Sequence, residues 1–319
     1  MLILNRAAVE AALTMEACIA AVEAAMRGLA LGEAQPFART QIRSADGTRM
    51  GLMPARAEEP RALWAVKAVV HAPGNPARGL DAHQGAVLVQ DGETGVPVAL
   101  LDAGAITATR TAAASAVATR ALAAPGARRV AILGTGAQAR GHVAAMRAVL
   151  PDAEIVLWGR RPAAAAALAD ELRVAVAESP RAAVRDADVV CTATASPTPI
   201  LARDWLKPGC HVNAVGASAP DARELGTDVI AACALFVDSR AQALVECGEI
   251  LIPLAEGAVG PEVIRADLGE VLAGRHPGRP GVSALTVYKS LGLAAQDLAA
   301  SLAALDGAVA RGLGCRIDW

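Results

Sequence analysis

RVAILGTGAQARGH, residues 129–142, decides the fold. The apolar run Val130 to Leu133 has the composition of a short buried β-strand, and it leads directly into Gly134-x-Gly136-x-x-Ala139. Gly134 permits a tight turn, and Gly136 lets backbone approach a pyrophosphate. Ala139 lets the next helix pack close to the sheet. The helix N-terminus, with Thr135, Ala137 and Gln138 around it, offers N–H groups to the phosphates. A bare G-x-G-x-x-A is common by chance. Its place between a strand and a helix makes this one a dinucleotide site.

Working outward, the following sequence keeps alternating. "EIVLWG", "ADVVCTAT", "CHVNAVGA" and "ALFVDS" read as short strands, and helical stretches such as "PAAAAALADEL" separate them. That rhythm indicates a Rossmann-type, doubly wound parallel sheet in an α/β protein. NAD sites commonly carry Asp or Glu at the end of the second strand, for the ribose hydroxyls. Here that strand ends in Gly159, Arg160 and Arg161. Guanidinium groups pair with a 2′-phosphate that a carboxylate would repel, so NADPH is the expected cofactor, with NADH the less favoured one.

The N-terminal third reads differently. "RAAVEAALTMEACIAAVEAAMRGLALG" has helical spacing and stops at Gly32. "ALWAVKAVV" and "GAVLVQDGETGVPVALLDAG" are strand-like, and Asp91 to Pro97 forms a hairpin connection, so pairing here is antiparallel. An Ala-rich helix follows from Thr107, its expected N-cap. A final helix runs from Leu291 to about Leu305.

The chain has 319 residues, 54% of them hydrophobic and 19% charged, which describes a globular protein long enough for two domains. Only 2% are aromatic, so Ala, Val and Leu build the core and burial at a subunit interface is expected to help. A formal net charge of −2 gives no electrostatic basis for binding nucleic acid or an anionic membrane. The six cysteines form no C-x-x-C pair and the five histidines are scattered, so no metal site is expected and the compartment is reducing. No basic leader precedes an apolar run, and no apolar window is long enough to span a bilayer. Asp228 and Asp238 bracket "VIAACALFV", for example. A cytoplasmic location follows.

Four residues outside the glycine-rich loop invite chemistry. Arg110 falls in the expected first turn of the Ala-rich helix, where fork geometry and dipole suit a carboxylate; the plainer reading is a structural arginine at the domain junction. Lys67 shares a strand face with Leu63, Ala65 and Val69 if alternation is strict. Burial there favours the neutral amine and suits proton transfer, whereas on a half-exposed sheet it simply faces water. Arg43 in "TQIRSADG" looks like an exposed charge. Ser218 in "VGASAP" lacks the second glycine of a nucleophile elbow, which argues against a hydrolase. It remains a polar group on a loop at the carboxyl edge of the sheet, where ligands bind.

These pieces together resemble the ornithine cyclodeaminase/μ-crystallin family. The match runs through "LMPA" (52–55), "NPARGL" (75–80), "DGETGVPVALLDAGAITATRTAAASAVAT", "ILGTGAQARGH", "VNAVGASAPDAREL", "LFVDSRAQALVECGEI" and "LTVYKSLGLAAQDLAA". The resemblance implies a homodimer. It also implies a discontinuous α+β substrate-binding and dimerisation domain (1–118 and 290–319) around an inserted dinucleotide-binding domain (119–289). The family's substrate-carboxylate arginines fall on Arg43 and Arg110 and its active-site lysine on Lys67. Met53 joins the substrate side and Thr111 the cofactor side. His83, in "DAHQG", either lines the pocket or is structural.

Family cyclodeaminases and alanine dehydrogenases carry an aspartate where this chain has Ser218. The serine pattern instead looks like the ketimine reductases of the family, which reduce 1-pyrroline-2-carboxylate or 1-piperideine-2-carboxylate with NADPH. The resemblance therefore implies a reductase of small cyclic imino acids, with Lys67 and Ser218 at the reacting bond. Ornithine cyclodeaminase and alanine dehydrogenase are the alternatives within the family. A protein that binds NADPH without turnover is the alternative outside catalysis.

Overall fold

The computed structural model describes residues 1–58 and 61–319, apart from the side chain of Pro76. The chain divides into two compact units, Met1–Arg110 with Leu293–Trp319, and Thr111–Gly292.

The first unit is a seven-stranded sheet with helices against one face. After β1 (Leu2–Leu4) come α1 (Arg6–Ala12) and α2 (Met15–Leu31). The sequence suggests one continuous helix here, but Thr14 interrupts it. Its extended backbone and its Oγ1, which accepts the Ala17 N–H at 3.2 Å, start a new helix. Gly32, in the left-handed region at φ 79°, ends α2 as expected. Strands β2 (Thr40–Arg43), β3 (Arg49–Ala57), β4 (Leu63–His71), β5 (His83–Asp91) and β6 (Pro97–Asp102) follow. Strands β2 to β6 pair antiparallel in chain order, and β1 pairs parallel with β6 and antiparallel with the seventh strand, Cys315–Arg316. The β5–β6 hairpin lies where the sequence puts it, with Asp91 Oδ1 accepting the Thr94 N–H at 2.9 Å.

Register defines the two faces. Leu4, Leu101, Val87, Lys67 and Met53 stand side by side across five strands, so their side chains share a face, and all five are buried. The C-terminal helix (Ala294–Arg311) packs over β3, β4 and β5 and against α2. The opposite face is also apolar, yet Ile42, Met50 and Val70 are exposed on it and Trp64, Val66 and Leu88 are only half-buried.

Helix α3 (Ala103–Leu122) begins one turn earlier than expected. Asp102 Oδ1 accepts the Ala105 N–H at 2.7 Å, which makes Asp102 the capping group rather than Thr107. Arg110 therefore sits in the third turn, not the first, and the helix dipole is not what shapes its surroundings.

The second unit holds β7 (Arg129–Leu133), α4 (Ala137–Val149), β8 (Glu154–Trp158), α5 (Pro162–Leu172), β9 (Ala175–Val176) and α6 (Pro180–Val184). It continues with β10 (Val189–Thr192), β11 (His211–Ala214), α7 (Thr227–Ala232), β12 (Ala234–Val237) and helices α8 (Arg240–Glu246) and α9 (Gly248–Ala255). Strand β13 (Ile264–Asp267), helix α10 (Leu268–Leu272) and β14 (Thr286–Lys289) complete it. The eight strands lie in the order β13-β12-β14-β11-β10-β7-β8-β9, all parallel. Strands β10, β11, β12 and β14 are buried at every residue, as a sheet covered on both faces requires. Strand order reverses between β7 and β10, which is the switch point where such sheets bind ligands.

Candidate active site

In the first unit Lys67 is 3% exposed, so the half-exposed, outward-facing reading of it is excluded. Its Nζ lies 2.7 Å from Asp297 Oδ2 and 3.4 Å from Thr107 Oγ1. The other carboxylate oxygen, Asp297 Oδ1, takes Arg110 Nε at 2.8 Å, and Arg110 also donates to Gln296 Oε1 at 3.3 Å. All three charged side chains are buried. Burial pulls the Lys67 ammonium down to about 8, with Asp297 opposing the fall and the Arg110 and Arg39 charges adding to it. Burial also opposes ionisation of Asp297, but Arg110 and Lys67 more than reverse this and hold its carboxyl below the ordinary range.

Sequence reasoning missed two members of this cluster. Asp297 lies in the first turn of the C-terminal helix, 230 residues from Lys67. A signal was available: Asp297 falls in helical register with Ser301, Ala304 and Ala308, small residues that are buried on that helix. The second is Arg39. Thr40 pairs with Leu52 and Met53 with Lys67, so one step back from Thr40 brings Arg39 into the Lys67 row, and its charge acts on Lys67.

Arg43 lies elsewhere on that face. It is exposed at the end of β2 and pairs in register with Arg49, which pairs with His71, which pairs with His83. Arg49 Nη2 is 3.3 Å from His71 Nδ1, and the His71 and His83 rings stand 4.7 Å apart. Burial, followed by the His71, Lys67 and Arg49 charges, pushes His83 down to about 4. The structure thus brings Lys67, Met53 and Arg110 together with Arg39, and places Arg43 four residues further along.

In the second unit the glycine-rich loop has the form that a pyrophosphate needs. Gly134 adopts φ 136°, and a Cβ there would stand 2.4 Å from the Ala193 carbonyl oxygen, so the loops after β7 and β10 approach as only glycine allows. Gly136 is the N-cap of α4, makes no side-chain cap, and has open space where a Cβ would project. A thirteen-residue helix that presents its N-terminal N–H groups below open space fits an anion. Thr135 and Gln138 are half-buried and Ala137 exposed in the same turn. Thr111 is buried, and its Oγ1 has no hydrogen-bond partner among the described residues.

Strand β8 runs beside β7, with Leu133 opposite Trp158 and the Gly134 N–H donating to Trp158 O at 2.8 Å. Arg160 and Arg161 therefore emerge next to the glycine-rich loop. Both are exposed, and neither pairs with a carboxylate among the described residues. Ser218 is exposed on the loop after β11, at the carboxyl edge of the same sheet.

Comparison with known proteins identifies the family. Residues 1–311 match the model of the ornithine cyclodeaminase/mu-crystallin family. The chain is 40% identical to ketimine reductase mu-crystallin of Mus musculus over 254 residues, 79% of this chain and 78% of that protein. It is 36% identical to a Delta(1)-pyrroline-2-carboxylate reductase of Bacillus cereus over 275 residues, 84% of each. Its fold superposes with a TM-score of 0.94 on the Thermococcus litoralis Delta(1)-pyrroline-2-carboxylate reductase, solved with NADH and L-proline. Identity there is 33%, and 99% of this chain and 100% of that one are covered. With a buried lysine–carboxylate–arginine cluster on one unit and a dinucleotide loop on the other, the chain belongs to the ornithine cyclodeaminase/mu-crystallin family.

Proposed function

We propose that the protein is an NADPH-dependent ketimine reductase. Its substrates are cyclic imino acids, 1-pyrroline-2-carboxylate and 1-piperideine-2-carboxylate, and its products L-proline and L-pipecolate. One observation carries the reading: Asp297 is buried in direct contact with both Lys67 and Arg110, and the charge of Arg39 acts on Lys67. With Lys67 protonated, it and Arg110 set two positive charges on the one carboxylate of Asp297. The excess positive charge suits a small anion that also needs a proton, which describes an α-imino carboxylate.

Arg110 and Arg39 hold the substrate carboxylate in this reading, replacing the Arg43 and Arg110 pair that the family resemblance implies. Positioning of that kind supplies much of the rate in a hydride transfer. Lys67, with its ammonium near 8, protonates the imine nitrogen at neutral pH, where an ordinary lysine would hold its proton too tightly. Asp297 keeps Lys67 charged and aimed. Ser218 hydrogen-bonds the nitrogen or a water and brings no negative charge, which favours reduction over deamination. The reduced nicotinamide, when bound, supplies the hydride that the C=N carbon accepts. Residues 134–138 cradle its pyrophosphate and Thr111 offers its unpaired hydroxyl, while Arg160 and Arg161 take the 2′-phosphate.

The uncovered apolar face of the first-unit sheet supports a homodimer, because a second copy would bury Ile42, Met50 and Val70. The six cysteines are all free, which agrees with a cytoplasmic enzyme. Among the described residues no helix is long and apolar enough to cross a membrane.

The test follows NADPH absorbance with 1-pyrroline-2-carboxylate for the wild type and for Lys67→Met. Lys67→Met abolishes turnover and leaves NADPH binding intact, and 2′,5′-ADP competes with the cofactor. Retained turnover in Lys67→Met removes the lysine from the mechanism. Equal use of NADH with no 2′,5′-ADP inhibition removes the NADPH assignment.

A further inference from the structure

Glu224 lies in "DAREL", in the segment between β11 and α7, and nothing in its sequence suggests more than a helix-flanking charge. In the structure it is fully buried in the second unit, and its carboxylate accepts from four donors. Thr192 Oγ1 donates to Oε2 at 2.6 Å and the Gly216 N–H donates to the same oxygen at 2.7 Å. Thr194 donates to Oε1 through its N–H at 2.8 Å and its Oγ1 at 2.6 Å. These donors come from the end of β10, from the loop that follows it, and from the loop after β11. One carboxylate ties together two adjacent loops at the carboxyl edge, beside the switch point.

A second buried pair closes the arrangement. Glu249 Oε1 accepts the Glu224 N–H at 3.0 Å, and Glu249 Oε2 lies 3.4 Å from Lys289 Nζ. Lys289 Nζ in turn donates to the Ala217 carbonyl oxygen at 2.5 Å. Glu249 and Lys289 are both fully buried. The backbone just before Ser218 is therefore gripped twice, by Glu224 at the Gly216 N–H and by Lys289 at the Ala217 carbonyl. The packing leaves no slack: a Cβ on Gly216 would lie 2.1 Å from Thr194 O and 2.4 Å from Glu224 Oε1. Burying two carboxylates and an ammonium is expensive unless every group is paired, and here each is.

We propose that Glu224, backed by Glu249 and Lys289, is a positioning residue that fixes the β10 and β11 loops, and with them the backbone that carries Ser218, in one conformation. The proposal rests on the reductase reading for its kinetic arm only. Burial pushes the Glu224 carboxyl up, and the Thr192 and Thr194 hydroxyls with the Lys289 charge oppose the rise; the four contacts give it geometric work. Glutamine is a poor replacement despite its shape, because one carbonyl oxygen replaces two acceptors and the NH2 group meets donors.

The test uses Glu224→Gln in the full-length protein, with amide hydrogen exchange at residues 192–196 and 213–219 and steady-state kinetics with 1-pyrroline-2-carboxylate. Activity is expressed per bound NADPH, so that unfolded enzyme does not count. The exchange of the Gly216 and Thr194 amides is expected to accelerate by about tenfold or more. At saturation kcat falls by about 10²-fold, as a misplaced reacting group produces, while the dissociation constant for NADPH changes by less than about threefold. Unchanged exchange, or faster exchange with full kcat, overturns the proposal. So does a loss that appears only as weaker NADPH binding. If Glu224→Gln does not fold, Thr192→Val removes one of the four donors and is expected to move both readouts in the same direction by less; wild-type behaviour in that variant also overturns the proposal. A wild-type enzyme that reduces no imino acid refutes the reductase reading instead. In that case the exchange arm alone decides the clamp, faster exchange supporting it and unchanged exchange overturning it.

Discussion

Replacing Asp297 by asparagine removes one negative charge from between two buried cations and leaves the shape of the side chain almost unchanged. Lys67 Nζ at 2.7 Å and Arg110 Nε at 2.8 Å both lose their counter-charge, with side chains only 3% and 6% exposed. Breaking a buried ion pair from one side destabilises by about 3–5 kcal/mol, because the partner charge stays buried and unpaired. At roughly 3 °C per kcal/mol this lowers Tm by about 10 °C or more. The loss depends on pH with a definite sign. The folded-state pKa of Lys67 is about 8 against an ordinary 10.5, so between those values the unfolded chain binds more protons and stability rises with pH. Asp297 raises the lysine's pKa, so removing it extends that window to lower pH. The deficit of Asp297→Asn is therefore larger at the lower pH, shrinks as the pH rises towards about 8, and stays constant from there to about 10.5. The basic limb of kcat/KM, set by loss of the Lys67 proton, moves to lower pH in the same variant. Thermal melts at pH 7 and pH 10 with a pH–rate profile check both points. A variant within about 1 kcal/mol of wild type at pH 7, or one whose basic limb does not move, refutes the coupling of these three residues.

Arg39→Gln raises KM for the imino acid by tenfold or more, on the order of one lost charge-assisted bond, whereas Arg43→Gln leaves KM within about twofold; parallel steady-state assays compare them. Gly134→Ala forces a Cβ against the Ala193 carbonyl at 2.4 Å in a left-handed conformation, so NADPH binding measured by fluorescence titration is lost or the protein melts several degrees lower. The double variant Arg160→Ala/Arg161→Ala weakens NADPH by about tenfold or more and leaves NADH nearly unaffected, as two separate titrations would show.

The parts of this fold that depend on local chemistry were legible in the sequence. The strand, glycine turn and helix at 129–149 fall where their spacing puts them, as does the Asp91 hairpin. Strict alternation along "LWAVKAVV" already placed Lys67 on the face of Leu63 and Ala65, which proves to be the buried one. What escaped depends on register and on distant packing. Arg39 and Arg43 are four residues apart and share a face, so alternation cannot say which stands beside Lys67; only the β2–β3–β4 pairing does. Thr107 has the look of a helix cap, but Asp102, five residues earlier, reached the Ala105 N–H first. Asp297 and Glu224 carry no local sign of burial, because their partners come from other elements. Small-residue register on the C-terminal helix could have exposed the first. No comparable local pattern marks the second.

The most direct test of the central claim is a single series of assays on one preparation. NADPH oxidation is followed with 1-pyrroline-2-carboxylate and then with pyruvate plus ammonia, and ammonia release is measured with ornithine. Rapid oxidation with the cyclic imino acid, little with pyruvate and no ammonia from ornithine is the predicted result. Faster oxidation with pyruvate and ammonia, ammonia release from ornithine, or tight NADPH binding with no turnover of any of the three would contradict it.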